Sequence, residues 1–327
     1  MIIFSFAEVL FASIAAAFIA AFFTTPFIIF NSRKANIVGS DRNKKNEKIP
    51  EMGGIAIVTG TALGILIAIA FGFNLQTDVL ISGLDIQILL AALATVLFMG
   101  ILGLIDDLYA LERKIKAPIP FIAAIPLSAV RAGTRNLNLP LIGSLNFGSF
   151  YSLVIVPIGV GGASNAFNML AGLNGLEAGL GAVMSLAVLI AAYAKGSLEA
   201  MIISASLFGA CLAFLFYNRF PAKIFPGDVG TYPIGATIAT AVIIGNLEFF
   251  GLFLFLPHFI ELVLKLRTRF RGENYGILKK GLLYPPKKIE SLTHIVMRFG
   301  PMTEGQVVNR ILLAEAAVAI IALALFV

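Results

Sequence analysis

Polar side chains in this chain collect at a few places, each at the edge of a long apolar run. Asp106 and Asp107 follow twenty uncharged residues and are answered within one to three helical turns by Arg113, Lys114 and Lys116. Adjacent carboxylates offer hard oxygen ligands to a divalent cation, and a neighbouring cation offsets phosphate charge, so the cluster suits Mg²⁺–phosphate chemistry. The plainer alternative is a solvated helix end with local ion pairs. Asp228 sits in Pro226-Gly227-Asp228-Val229-Gly230 before another apolar run. A helix N-terminus there favours a phosphate or a metal site, although a capping Asp in a glycine turn accounts for it equally well. Between these lies Asn165-Ala-Phe-Asn168-Met-Leu-Ala-Gly172-Leu-Asn174-Gly175-Leu-Glu177-Ala-Gly179. Asn165 and Asn168 share a helix face at a spacing of three, and Gly172 and Gly175 let the chain turn or a ligand approach. Polar groups so placed face a cavity or a ligand more readily than lipid; asparagine caps in a glycine-rich connection are the alternative.

The elements that must position these groups are membrane helices. The chain is 59% hydrophobic and only 13% charged, with a mean hydropathy of +0.94; a soluble domain carries about 25% charge. Ten apolar segments can be marked, at 4–30, 53–73, 86–105, 117–131, 150–164, 178–194, 198–217, 231–244, 247–264 and 306–327. Several fall short of the ~20 residues of a perpendicular span, so one or two are expected to be broken or sheltered. None alternates as a barrel strand does. The N-terminal segment reads as a first span, lacking the basic start and cleavage site of a signal peptide. The single Cys211 lies in an apolar run and supports no disulfide framework. The expectation is an all-α polytopic membrane protein, one catalytic domain over 1–327, with about ten transmembrane helices.

Ten spans place loops 31–52, 106–116, 165–177, 218–230 and the last stretch, from 265 to about 305, on one side. With Arg310 they hold 21 of the 24 Lys and Arg. The positive-inside rule makes that side cytoplasmic and puts both termini outside. Segment 132–149, alternating around Pro140 and Gly143, then forms a small outer-side hairpin. The net charge of +6 is first a topology signal and also suits anionic headgroups and nucleotides. In the first loop, Asp41, Asn43 and Glu51 are not explained by topology; Glu51 beside Pro50 caps the next helix or meets a ligand. In the last loop, His294 lies among cations, near Pro286 and Arg298, on the active side and is the better histidine candidate; His258, beside Pro257 in a span, reads as structural.

Taken in order from about residue 39 to 305, these motifs resemble the polyprenyl-phosphate N-acetylhexosamine-1-phosphate transferase family. The Asn165–Gly179 stretch and Asp41-x-Asn43-Lys44 followed by Ile49-Pro50-Glu51 are most similar to its eukaryotic and archaeal branch. The resemblance implies that Asn168 and Asp228 bind Mg²⁺, with Mn²⁺ as a substitute. It implies that Lys116 contacts the diphosphate, that Asn174 reads the uracil, and that Asp106 and Asp107 are the essential pair, catalytic or supporting. Asp41 and Glu51 match loop residues around the nucleotide, with Asn165, Glu177, His294 and Arg298 as further substrate contacts. The partners implied are a UDP-sugar, a polyprenyl or dolichyl phosphate and membrane lipids, with room for a homodimer and none for nucleic acid. The membrane would be a cell membrane, or an endoplasmic reticulum in a eukaryote, with the site facing the cytoplasm. Where the bacterial muramoyl-pentapeptide branch has aspartates this chain has Ala171 and Asn174, the last loop lacks a histidine run, and Ala110 replaces the eukaryotic asparagine. The competing class is a transporter or lipid carrier, which would set its polar groups near mid-bilayer; here they sit at span ends.

Overall fold

A computed structural model describes residues 6–42, 47–75, 84–134, 136–139 and 143–327. Asn43 and Lys44 of the first-loop motif and Pro140 of the hairpin segment lie outside them. In chain order the elements are α1 (Phe6–Lys34), β1 (Val38–Asp41), β2 (Glu47–Pro50), α2 (Gly54–Leu75), α3 (Ile86–Tyr109), α4 (Arg113–Lys116), α5 (Ile119–Ile122), α6 (Ile125–Ala129), β3 (Asn136–Leu139) and β4 (Gly143–Asn146). There follow α7 (Gly148–Phe150), a π-helical turn (Tyr151–Ile155), α8 (Val156–Met169), α9 (Leu176–Lys195), α10 (Leu198–Asn218), α11 (Asp228–Ile244), α12 (Glu248–Leu254), α13 (Leu256–Arg267), β5 (Ile277–Lys279), β6 (Leu282–Tyr284), α14 (Leu292–Met297) and α15 (Glu304–Phe326).

Among the described residues, seven helices are long and apolar enough to cross a membrane: α1, α2, α3, the run Gly148–Met169, α9, α10 and α15. The pair α12–α13 makes an eighth if it is one span, bent by 57°. Pro257 in the first turn of α13 lacks the N–H that would continue the helix. The ten apolar segments of the sequence thus divide unevenly. Segment 117–131 is not one helix but α5 and α6, each with a proline in its first turn, and 231–244 lies in α11, only 17 residues long. Large apolar side chains such as Phe11, Phe23, Phe27 and Phe30 stay exposed on α1, as lipid-facing residues do. The buried face of α1 is small: Ser13, Ala17, Ala21 and Thr25 let α2 and α10 approach closely.

The pillar is α11. From Val229 to Ile244 every residue is buried, among α2, α3, α8, α9 and α10. Gly103 in α3 lets the backbones meet at its N-terminus, since a Cβ there would overlap the Asp228 and Val229 main chain. The C-terminal ends of α1, α3, α8 and α10 gather at this end with the β1–β2 and β5–β6 hairpins, neither of which the sequence pattern announced. The β3–β4 hairpin was expected, and Asn136 to Leu139 pair antiparallel with Gly143 to Asn146. It follows Thr134, whose N–H donates to Asn246 Oδ1 (2.7 Å) just beyond the opposite end of α11.

Candidate active site

Two turns bring the carboxylates together. At the end of α3, Ala110 takes the left-handed conformation (φ 49°, ψ 61°) and its N–H bonds the Asp106 carbonyl. Leu111 N–H then donates to Asp106 Oδ1 (3.0 Å), so the side chain closes the turn it sits on. At the start of α11, Gly227 (φ 69°) leaves space that the Asp107 carboxylate fills. Asp107 accepts from Asp228 N–H (2.8 Å) and Val229 N–H (3.0 Å), both among the otherwise unpartnered donors of a helix N-terminus. Asp107 therefore caps α11 from α3 and sets where Asp228 stands.

Lys116, at the end of α4, spans the gap. Its Nζ lies 2.8 Å from Asp106 Oδ2 and 3.1 Å from Asp228 Oδ2. Burial works against its charge, but Asp228 and Asp106 outweigh that and hold the ammonium above its ordinary pKa. Tyr232, one turn along α11, donates to Asp106 Oδ2 (3.3 Å) and lies within hydrogen-bonding reach of Asn168. Asn165 donates to the carbonyls of Gly161 and Ala117 (3.0 Å each), tying α8 to the residue after Lys116.

These groups form one end of a cavity of about 1200 Å³, lined there by Lys116, Asn165, Asn168, Asp228 and Tyr232. From this end an apolar groove runs between α8, α11 and the bent α12–α13 pair as far as Ile155 and Phe249. Asn168 to Ile155 spans roughly 20 Å along α8. Leu252 and Phe259 both line the groove and remain exposed, so it opens sideways onto the lipid-facing surface.

The structure sorts the sequence's candidates into three groups. Asn165, Asn168, Lys116 and Asp228 face the cavity. Asp106 and Asp107, read as the catalytic pair, stand one layer behind: Asp106 is 4% exposed and Asp107 spends both oxygens on backbone N–H groups. A second cluster holds Asp41, Asn174 and Glu177. Asn174 Nδ2 donates to Asp41 Oδ2 (3.0 Å) and Glu304 Oε2 (3.2 Å), its N–H donates to Glu304 Oε1 (2.6 Å), and Glu177 Oε1 accepts from Gly172 N–H (2.5 Å). Here Asn174 Oδ1 and Glu177 Oε2 are buried with no hydrogen-bond partner. Glu51 lies against Gly39; burial, with Asp107 nearby, raises its pKa.

His294 and Arg298, expected as substrate contacts, do not line this cavity. His294 is buried, Nδ1 accepting from Glu290 N–H (3.2 Å) and Nε2 bonded to the Tyr275 carbonyl (2.9 Å). Burial holds its imidazole below the ordinary pKa, and the ring fastens the last loop. Arg298 is exposed at the end of α14. Sequence reasoning missed Tyr232, findable four positions from Asp228 on one helix face, and also Arg42 and Asn274, which line the cavity together with Arg113 of the basic cluster. Arg42 pairs with Glu273 (2.7 Å) and lies over the Tyr275 ring (5.0 Å); no local pattern marked these loop residues.

A bundle of membrane helices with a carboxylate–lysine–amide cluster at the polar end of a lateral groove defines an integral membrane enzyme acting on an anionic group at the membrane surface. Residues 89–246 match the glycosyl transferase family 4. A Saccharolobus solfataricus protein provisionally named UDP-N-acetylglucosamine–dolichyl-phosphate N-acetylglucosaminephosphotransferase is 38% identical over 313 residues, 94% of each chain. The Dictyostelium discoideum UDP-N-acetylglucosamine–dolichyl-phosphate N-acetylglucosaminephosphotransferase is 24% identical over 86% of this chain and 79% of its own. A Halalkalibacterium halodurans phospho-N-acetylmuramoyl-pentapeptide-transferase is 35% identical over 64% of this chain and 65% of its own. The chain belongs to glycosyl transferase family 4.

Proposed function

We propose that the protein transfers N-acetylglucosamine 1-phosphate from UDP-N-acetylglucosamine to a polyprenyl or dolichyl phosphate, releasing UMP. The observation that carries this reading is the junction of Lys116, Asn168 and Asp228 with the sideways-opening groove: the groove takes the chain and the cluster takes the phosphates. The names of the relatives above supply the sugar and the lipid. A lipid phosphate has its second pKa near 6 and is largely a dianion at neutral pH, so it needs no strong base. One of its oxygens attacks the donor's β-phosphorus; that P–O bond forms as the bond to the bridging oxygen breaks, and the electron pair leaves with UMP. Lys116, kept protonated between two carboxylates, offsets charge on the diphosphate. Asp106 and Asp107 hold Lys116 and Asp228 in place, which favours direct attack over a covalent aspartyl intermediate.

Among the described residues no three acidic, histidine or cysteine side chains converge as a closed metal cage. One carboxylate and one amide beside an open cavity instead fit Mg²⁺, which keeps waters and takes substrate phosphates as ligands. Asn168 and Asp228 would hold it, and once bound it would neutralise developing charge on the diphosphate oxygens. The site end then faces the cytoplasm, both termini lie outside, and α5–α6 and α11 complete ten crossings as short, sheltered ones. Support comes from 21 of 24 Lys and Arg in loops of one side. The test is purified protein in vesicles with UDP-N-acetylglucosamine, a polyprenyl phosphate and Mg²⁺. UMP release that requires both lipid and Mg²⁺ is expected; release of UDP, or no release, overturns the reading.

A further inference from the structure

Asn274 lies between α13 and β5, 7% exposed, with its carboxamide against the last turn of α8. Its Nδ2 donates to the carbonyls of Met169 (3.0 Å) and Ala171 (2.6 Å), immediately beyond Asn168. The final carbonyls of a helix have no partner within it, so this amide ties down the terminus that carries Asn168. Lys265 decides which end of the carboxamide faces α8. An ammonium only donates; it bonds Asn274 Oδ1 and leaves Nδ2 toward the carbonyls. Lys265 is itself held by the Gly272 carbonyl (2.8 Å) and by Glu261 (3.3 Å), all but buried. Glu261 Oε2 accepts in turn from Ser291 Oγ (3.0 Å) and Leu292 N–H (2.7 Å). Thr293 Oγ1 donates to the Asn274 carbonyl (2.6 Å), fixing its backbone.

We propose that Asn274, oriented by Lys265, is a positioning residue that holds the end of α8 so that the Asn168 amide faces Lys116 and Asp228. The proposal rests on the reading of Asn168 as a contact for the donor's phosphates and their ion. The proposed role of Asn274 runs through Asn168, which separates it from general support of the fold.

The test is a double-mutant cycle in the full-length protein: Asn168→Ala, Asn274→Ala, both together, and Asn274→Asp. The readouts are kcat/KM, UDP affinity by calorimetry in Mg²⁺, and Tm. Asn274→Ala is expected to lower kcat/KM and UDP affinity about 10- to 100-fold, as outer-shell partners do. In the Asn168→Ala background it should add nothing, since residues acting as one unit are non-additive. Asn274→Asp keeps an oxygen for Lys265 but sets a carboxylate oxygen against the Met169 and Ala171 carbonyls, so its loss should be at least as large as that of Asn274→Ala, and it decides the matter if the alanine variant fails to fold. Losses that multiply in the double variant, or an Asn274→Asp enzyme as active as wild type, overturn the proposal. An Asn168→Ala enzyme with full activity sinks the site reading itself; an impaired Asn168→Ala beside an intact Asn274→Ala sinks the positioning role alone.

Discussion

At the scale of single residues, the site depends on one cation held by two anions. Lys116 touches Asp106 and Asp228 while a fraction of its side chain still reaches the cavity. Asp107 makes no such pair; its oxygens hold the start of α11. With donor alone, therefore, the wild-type enzyme should release no UMP. Asp107→Asn should lose about 10- to 100-fold in activity through displacement of Asp228, the usual scale for an outer-shell support, measured by UMP release with both substrates present. A burst of UMP from donor alone that vanishes in Asp107→Asn would instead mark Asp107 as a nucleophile. Ala110 gives a stability prediction. It sits at φ 49°, where a non-glycine residue is strained by about 1–2 kcal/mol and asparagine is tolerated better. Ala110→Asn should raise stability by about 1 kcal/mol, read as a higher thermal midpoint in detergent.

At the scale of elements, α8 and α11 do most to place the chemistry. α11 brings Asp228 and Tyr232 to one end of a buried pillar, and α8 carries Asn165 and Asn168 on one face while forming a wall of the groove. That wall includes Gly162, where an added Cβ would meet no atom within 4 Å. Gly162→Leu should thus fold normally and fill groove space. The expected result is a KM for the lipid phosphate raised about tenfold, equivalent to about 1.4 kcal/mol, with the KM for UDP-N-acetylglucosamine unchanged. Steady-state kinetics with each substrate varied in turn would check it; equal changes in both constants would mean that the side chain disturbs the site and not the groove.

At the scale of the whole molecule, two directions matter: along the bundle, from the site end to the opposite end, and sideways, from cluster to lipid. The only cysteine, Cys211, is fully buried, so single exposed cysteines can be read without rebuilding the chain. Lys280→Cys, at the tip between β5 and β6, should react with an impermeant maleimide only from the cytoplasmic side, and Lys195→Cys, at the end of α9, only from outside. Labelling in the reverse sense would invert the orientation drawn from the basic loops.

Much of this was legible in the chain. Apolar runs of membrane length, with carboxylates and amides at their ends, follow from the cost of polar groups in hydrocarbon, and they marked the Asp106–Asp107, Asn165–Glu177 and Gly227–Asp228 segments before any contact was known. Local pattern also marked the β3–β4 hairpin. What residue types could not tell is which of two adjacent aspartates caps α11 and which one meets Lys116. That depends on the angle at which α3 meets the start of α11, set by Gly103 and Gly227. Nor could they tell that His294 turns both ring nitrogens to backbone, or that Asn274 reaches back 105 positions to the Met169 carbonyl at the end of α8. The physical reason is one of range. Periodicity and propensity act over a few residues, whereas the roles of Asp107, Lys116 and Asn274 are fixed by hydrogen bonds to segments more than a hundred residues away. Those bonds exist only once the bundle has closed.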